Sequence, residues 1–162
     1  MSAAEEILSG PYHDFWLLHG EPRDAAELWG RKDAPVRLSD DLVSYLWDTL
    51  QWVPTLNPSH SPHLQGSGLN RWGATAVAGD GARMLAQLAR RWAALFELAP
   101  GPTIRLTGSF QFQLGDDGQP AGEGGYVVLL ADRDRLVGQL GMLAQMADQA
   151  SQGDHFLLHL GV

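Results

Sequence analysis

Two histidine pairs are the residues whose type and spacing come closest to known chemistry. His60 and His63 form H-x-x-H in a segment rich in Pro and Gly, and His155 and His159 form H-x-x-x-H near the end of the sequence. A zinc site of the H-E-x-x-H type needs a helix and a Glu beside the first histidine, and that Glu is missing here. The apolar residues 156–158 instead indicate a strand, in which residues i and i+4 lie roughly 13 Å apart. We therefore expect no metal and no cofactor.

A second candidate for chemistry is a row of polar side chains that alternates with apolar ones over residues 103–114. A period of two predicts a strand with one polar and one apolar face. The apolar face would carry Ile104, Leu106, Gly108, Phe110, Phe112 and Leu114. The polar face, with the last strand beside it, gives these candidate ligand-binding residues: Arg105, Thr107, Ser109, Gln111, His155 and His159. Polar residues at alternate positions are also typical of a solvated sheet face.

Neither of the two glycine-rich segments matches a catalytic motif. Residues 115–125 lack the G-x-x-x-x-G-K-[ST] pattern of a phosphate-binding loop and are predicted to join two strands as a hairpin. Gly66-Ser67-Gly68 does not fit the G-x-S-x-G nucleophile elbow. We assign no catalytic residue from the sequence.

The charge of the chain is negative and uneven. There are 11 basic and 19 acidic residues, a net charge of −8, and residues 1–70 carry four of the basic and ten of the acidic ones. Nucleic-acid binding works by neutralising phosphates with Lys and Arg, so a basic protein is the better partner. Acidic and aromatic residues around a helix capped by Ser39 are the candidate contacts: Asp33, Asp40, Asp41, Asp48, Trp29 and Trp47.

The elements that must position these residues follow from periodicity. Residues 71–162 predict strand, helix, strand, strand, helix, strand, which is the βαββαβ order of ferredoxin-like folds. Trp72–Ala78 and His155–Leu160 are the first and the last of these strands, and Trp72 and Trp92 are expected to face the core. Asp80 and either Asp132 or Asp134 are predicted to begin the two helices. We expect an α+β fold with one antiparallel sheet.

Residues 1–70 are predicted to be a mainly helical or irregular segment that packs on this sheet. Leu42, Val43, Leu46 and Leu50 recur at helical spacing after Ser39. Residues 54–70 hold three prolines and two glycines, which predicts a long loop. At 162 residues the whole chain is expected to form a single domain.

The absence of cysteine and of any long apolar run favours a cytoplasmic protein without a membrane anchor. The N-terminus also lacks the pattern of a signal peptide. We expect a monomer or a homodimer.

Two functional hypotheses follow. The first is a non-enzymatic protein-binding domain of the inhibitor or immunity type. By analogy with bacterial immunity proteins, it would neutralise a basic toxin or effector. The alternative is a small enzyme or ligand-binding domain that uses the open sheet face and the 54–70 loop.

Overall fold

The computed structural model describes residues 11–112, 114–122 and 124–162. In these residues a six-stranded antiparallel sheet has the order β2-β1-β8-β5-β3-β4, and β6 and β7 form a separate two-stranded sheet. The strands are β1 (Tyr12–His19), β2 (Val36–Ser39), β3 (Pro54–Asn57), β4 (Leu64–Ser67), β5 (Ala74–Val77), β6 (Thr103–Gln111), β7 (Gly125–Asp132) and β8 (His155–Leu160). The helices are α1 (Asp40–Leu50), α2 (Gly79–Glu97) and α3 (Arg133–Ala150), with a 3-10 turn at Ala26–Leu28.

The predicted ferredoxin-like arrangement is wrong, although the fold class α+β is correct. The elements from β5 to β8 do follow one another as βαββαβ along the chain, and β5 pairs with β8. The sheet does not continue into β6 and β7, because β5 has β8 on one edge and β3 on the other. The two middle strands therefore leave the main sheet as a hairpin of their own.

The prediction of a mainly helical N-terminal segment is also wrong. Four of the six strands in the main sheet, β1 to β4, come from residues before 70. The predicted loop at 54–70 contains β3 and β4, which pair with each other in antiparallel register. Prolines and glycines obscured this pairing: Pro54 is the first residue of β3 and Gly66 lies on the edge strand β4, positions where such residues are tolerated.

The main sheet has apolar layers on both faces. Phe15, Leu157 and Val77 face the three helices, where alanines and leucines of α2 and α3 pack together. Phe156 and Leu158 point to the other face, which is covered by Ala25 and Leu28 beside the 3-10 turn. A strand with both faces buried reads as a continuous apolar run, which explains residues 156–158.

Helix boundaries follow local chemistry as predicted in two of three cases. The Ser39 hydroxyl accepts a hydrogen bond from the Leu42 amide at 3.3 Å and caps α1. The Asp132 carboxylate accepts one from the Arg135 amide at 2.8 Å and caps α3. The prediction for Asp80 is wrong, because α2 begins after Ala78 with Asp80 in its first turn, where a carboxylate suits the helix dipole.

The strand predicted over residues 103–114 ends at Gln111, and its apolar alternation breaks at a β-bulge. Leu106 lies opposite Leu129 and Thr107 opposite Val128, but the next pair is Phe110 with Tyr126. Because β6 has one extra residue at the bulge, the side chains beyond it point to the face opposite to the one that strict alternation predicts. Ile104 is therefore 6% exposed, whereas Phe110, Phe112 and Leu114 are 47%, 59% and 68% exposed, against prediction.

The two tryptophans predicted to face the core differ. Trp92 is 7% exposed, as predicted, but Trp72 is 72% exposed, because it precedes β5 instead of belonging to it.

Among the described residues, no helix is long and apolar enough to cross a lipid bilayer. The predicted absence of a signal peptide concerns residues that lie outside the described ones.

Candidate functional site

A chain of buried polar side chains joins the main sheet to the beginning of α1. His13 Nδ1 lies 2.8 Å from His159 Nε2, and His13 Nε2 lies 2.9 Å from Asp40 Oδ1. The Arg71 guanidinium donates to Asp40 Oδ2 at 2.6 Å and to the Ser44 hydroxyl at 2.5 Å. Both histidines are fully buried, and the exposure of the side chains rises to 19% at Asp40 and 32% at Arg71. The chain of contacts thus runs from the core to the surface.

Strand pairing brings the first three members together. His159 on β8 lies opposite Phe15 on β1, so His13, two residues before Phe15, shares its face of the sheet. Tyr12 pairs with Ser39 at the end of β2, and the Asp40 amide donates to the Pro11 carbonyl at 3.0 Å. The first residue of α1 is therefore fixed beside His13.

Arg71 is positioned by the two residues that follow β8. The Arg71 carbonyl accepts a hydrogen bond from the Val162 amide at 2.9 Å. A Cβ added at Gly161 would lie 2.3 Å from the same carbonyl oxygen, so only glycine permits this close approach. The Arg71 side chain then extends between Trp47 and Trp72, with its Cζ 5.7 and 5.6 Å from the two ring centroids.

The hydrogen bonds define which ring nitrogens carry protons. The Asp40 carboxylate can only accept, so His13 Nε2 is the donor to Asp40. His13 Nδ1 of the neutral ring is then an acceptor, and His159 Nε2 donates to it. His159 Nδ1 is left as a bare lone pair, and it has no hydrogen-bond partner in the part of the chain that the structure describes.

Burial keeps both histidines neutral. Burial lowers the pKa of His13, outweighing the hydrogen bond from this ring to Asp40, and burial lowers the pKa of His159 well below its ordinary value. Burial would raise the pKa of Asp40, but hydrogen bonds from Arg71 and His13 outweigh it, so the pKa is lowered. The stable arrangement is two neutral imidazoles and one ion pair.

These shifts predict a loss of stability in mild acid. Because the folded-state pKa of both histidines is lowered, only the unfolded chain binds their protons as the pH falls below about 6.5. The free energy of unfolding should fall by up to about 1.4 kcal/mol per pH unit for each such histidine. Urea unfolding at pH 7.5 and at 5.5 measures this change, in a range above the titration of Asp40. A His159→Leu variant should lose part of the slope, and an unchanged slope would contradict the assignment.

The chain of hydrogen bonds from His159 to Arg71 is poorly placed for catalysis. A general base must come within hydrogen-bond reach of a substrate proton, but His13 is fully buried and both its ring nitrogens are engaged. Within the described residues, no group of three or more His, Asp or Glu side chains could hold a metal ion. The arrangement instead fixes the start of α1 and holds Arg71 at the surface.

The acidic candidates from the sequence lie on two sides of the main sheet. Asp40, Asp41 and Asp48 are on α1, which packs on the helical side. Asp33 lies beyond the 3-10 turn that ends at its C-cap, Trp29, and pairs with Arg31 at 2.5 Å, and Arg31 lies over the ring of Trp16 on the opposite side. Trp47 is half-buried against the helical core. The structure therefore does not bring the six predicted contacts together.

The three α1 carboxylates also differ in what they contact. Asp40 is committed to His13 and Arg71. Asp41 and Asp48 are exposed, and neither forms an ion pair or a side-chain hydrogen bond within residues 11–112, 114–122 and 124–162. With Ser44 and Tyr45 they lie on one face of the helix, because the spacing 41, 44, 45, 48 repeats every turn.

The candidate ligand face is divided between the two sheets. His155 and His159 are on β8 in the main sheet, and His155 contacts Asp154 at 2.7 Å instead of any β6 residue. Arg105, Thr107, Ser109 and Gln111 are on β6 in the hairpin, and all four are exposed. His60 and His63 lie between β3 and β4. No single site contains all of these side chains.

Three of the β6 candidates line a groove between α1 and the hairpin. The groove has a volume of about 470 Å³, within the range of ligand pockets. One wall consists of Asp41, Ser44 and Tyr45 of α1 together with Arg71. The other wall consists of hairpin residues, namely Thr107, Gly108, Ser109, Gln111, Val127 and Leu129. We call this the α1–hairpin groove.

The sequence analysis missed His13, Ser44, Tyr45 and Arg71 as parts of a site. His13, Phe15 and Leu17 alternate with Asp14, Trp16 and Leu18, so the period of β1 could have placed His13 on an inward face. No sequence signal joins Arg71 to Asp40, because that contact depends on the position of β8 between β1 and β5.

Comparison of the chain with protein-family models, curated proteins and solved structures finds no match.

Proposed function

We propose that the chain is a non-enzymatic protein-binding domain of the inhibitor or immunity type, and that the exposed face of α1 binds a basic partner protein. The observation that carries the proposal is the pair of carboxylates at Asp41 and Asp48, which are exposed and not paired by the described residues. An unpaired surface charge is available to an incoming cation, whereas Asp33 and Asp40 already have cationic partners.

Aromatic side chains beside these carboxylates support a protein as the partner. Tyr45 is 48% exposed between Asp41 and Asp48, and Trp52, just beyond the end of α1, is 62% exposed. Tyr and Trp are enriched among the residues that dominate binding energy at protein interfaces. The face thus combines acidic residues for attraction with aromatic residues for contact area.

Long-range attraction supports the proposed basic character of the partner. The chain carries a net charge of −8, and most of the excess lies in residues 1–70, which include α1. Such a field accelerates the association of an oppositely charged protein.

The test is a comparison of captures from the source organism's proteins by the immobilised wild type and two variants. Asp48→Lys reverses a charge on the α1 face, and Asp33→Lys makes the same change on the opposite side of the main sheet. We expect the wild type and Asp33→Lys to retain a protein of basic isoelectric point that Asp48→Lys loses. Capture that all three proteins share, or a captured protein that is acidic, would contradict the proposal.

The alternative function, a small enzyme or ligand-binding domain, draws its support from the α1–hairpin groove, which combines hydroxyl, amide and charged side chains. We place it second because the buried histidines His13 and His159 are not among the residues that line that groove. The cytoplasmic location, the single domain and the monomeric or homodimeric state stay predictions of the sequence.

A further inference from the structure

We infer that the α1–hairpin groove binds a basic side chain of the partner, an arginine in particular, with Asp41 as its anionic contact. The inference rests on the proposed function and names the chemistry that the partner must present. It adds a second, deeper contact beside the exposed α1 face. The groove is large enough for one long side chain together with part of its backbone, at about 470 Å³.

The charge balance of the groove favours a cation. Arg71 is the basic residue among its lining residues; its Nη2 donates to both Asp40 and Ser44, and its buried Nε has no hydrogen-bond partner among the described residues. The ion pair of Arg71 with Asp40 is close to neutral as a unit, which leaves the negative charge of Asp41 uncompensated. The net charge of the groove and its support is therefore −1, taking Asp40 and Asp41 with Arg71.

The remaining polar lining consists of groups that can accept hydrogen bonds. Ser109 and Gln111 line the wall across from Asp41, and a hydroxyl and an amide oxygen can both accept hydrogen bonds. None of these side chains forms a hydrogen bond to another described residue. A guanidinium has five N–H donors in a planar fork, and so it can use several such acceptors at once.

Apolar surface in the groove suits the rest of an arginine side chain. Val127 and Leu129 of β7 line it together with Gly108, where an added Cβ would lie 3.2 Å from Leu129 Cγ. Tyr45 lines the opposite wall, and aromatic faces attract cations. A lysine would use the charge of Asp41 but fewer of the acceptors.

The test uses a short probe peptide, N-acetyl-Gly-Arg-Gly-amide, titrated into the ¹⁵N-labelled full chain. We expect saturable shifts of backbone amide signals at Asp41, Tyr45, Gly108 and Ser109. The matched peptides with Leu or Glu in place of Arg should leave these signals in place. Asp41→Asn should weaken the arginine peptide about tenfold, as expected for a charge-assisted hydrogen bond. Asp48→Asn, with the same charge change on the same helix outside the groove, should weaken it less than about twofold.

Three outcomes would overturn the inference. Shifts caused by the Glu peptide but not by the Arg peptide would make the groove an anion site centred on Arg71. Equal weakening by Asp41→Asn and Asp48→Asn would mean that only the general negative field attracts the peptide. Shifts outside the groove, or none, would mean that the groove takes no basic side chain.

The inference and the proposed function can fail separately. If Asp48→Lys abolishes capture of a basic protein while the arginine peptide does not bind, the α1 face is a binding surface and the groove is not. If the peptide binds in the groove but no captured protein depends on α1, the groove is a cation site and the proposed function is wrong.

Discussion

Replacing Asp40 with Ala is expected to lower the free energy of unfolding by about 2–3 kcal/mol, a large share of the stability of a domain. The substitution removes the acceptor for the buried His13 Nε2–H and the partner of Arg71. A buried donor without an acceptor costs about 1–3 kcal/mol. The ion pair adds less, because Arg71 is 32% exposed and water screens it. Urea unfolding at pH 7.5 gives the value.

Asp41→Ala is the matched control for this prediction. Both residues lie in the first turn of α1, so both substitutions remove the same favourable interaction with the helix dipole, about 0.3–1 kcal/mol. Asp41 forms no side-chain hydrogen bond or ion pair within the described residues, so its replacement should cost no more than that. Equal losses from the two variants would mean that the buried chain of polar contacts adds nothing to stability.

The second large effect concerns the two faces of β6. Ile104→Asp should unfold the protein or reduce its stability by more than about 4 kcal/mol, because it places a carboxylate in the core at a position 6% exposed. Phe110→Asp, six residues later on the same strand, should cost only about 1 kcal/mol, through lost ring contacts with Phe112 and Tyr126. Thermal and urea unfolding measure both.

A regular strand would place Ile104 and Phe110 on the same face, so the two variants would then be equally damaging. Equal damage would therefore contradict the bulge between Thr107 and Phe110. It would also move Ser109 and Gln111 relative to the groove, and the lining described for the α1–hairpin groove would be wrong.

Local patterns predicted the elements better than their assembly. Ser39 and the leucines after it predicted α1 correctly, and the apolar run before Leu160 predicted β8. Both predictions succeeded because capping and periodicity act within a few residues. The place of β8 depends on pairing with β1 residues 136–146 positions away and with β5 residues 80–86 positions away, on which neighbouring sequence has no bearing. The bulge in β6 could not be predicted from the sequence, because the apolar alternation continues through it from Ile104 to Leu114.

The candidate site was predictable only in part. The charge pattern singled out Asp41 and Asp48, and alternation on β6 singled out Thr107, Ser109 and Gln111. Asp41 and the three β6 residues meet at one groove because the hairpin leaves the main sheet, a feature that the predicted ferredoxin-like order lacks. Asp40 looked equivalent to Asp41 in the sequence, and the contacts with His13 and Arg71 separate the two.

The association kinetics of the captured protein test the central claim most directly, namely that the α1 face attracts a basic partner. We expect Asp48→Lys to lower the association rate constant several-fold at low salt, with little change in dissociation or melting temperature. Asp33→Lys should leave the rate near the wild-type value at about 0.15 M salt, where the Debye length is roughly 8 Å. An association rate that ignores both salt and Asp48→Lys would contradict the claim.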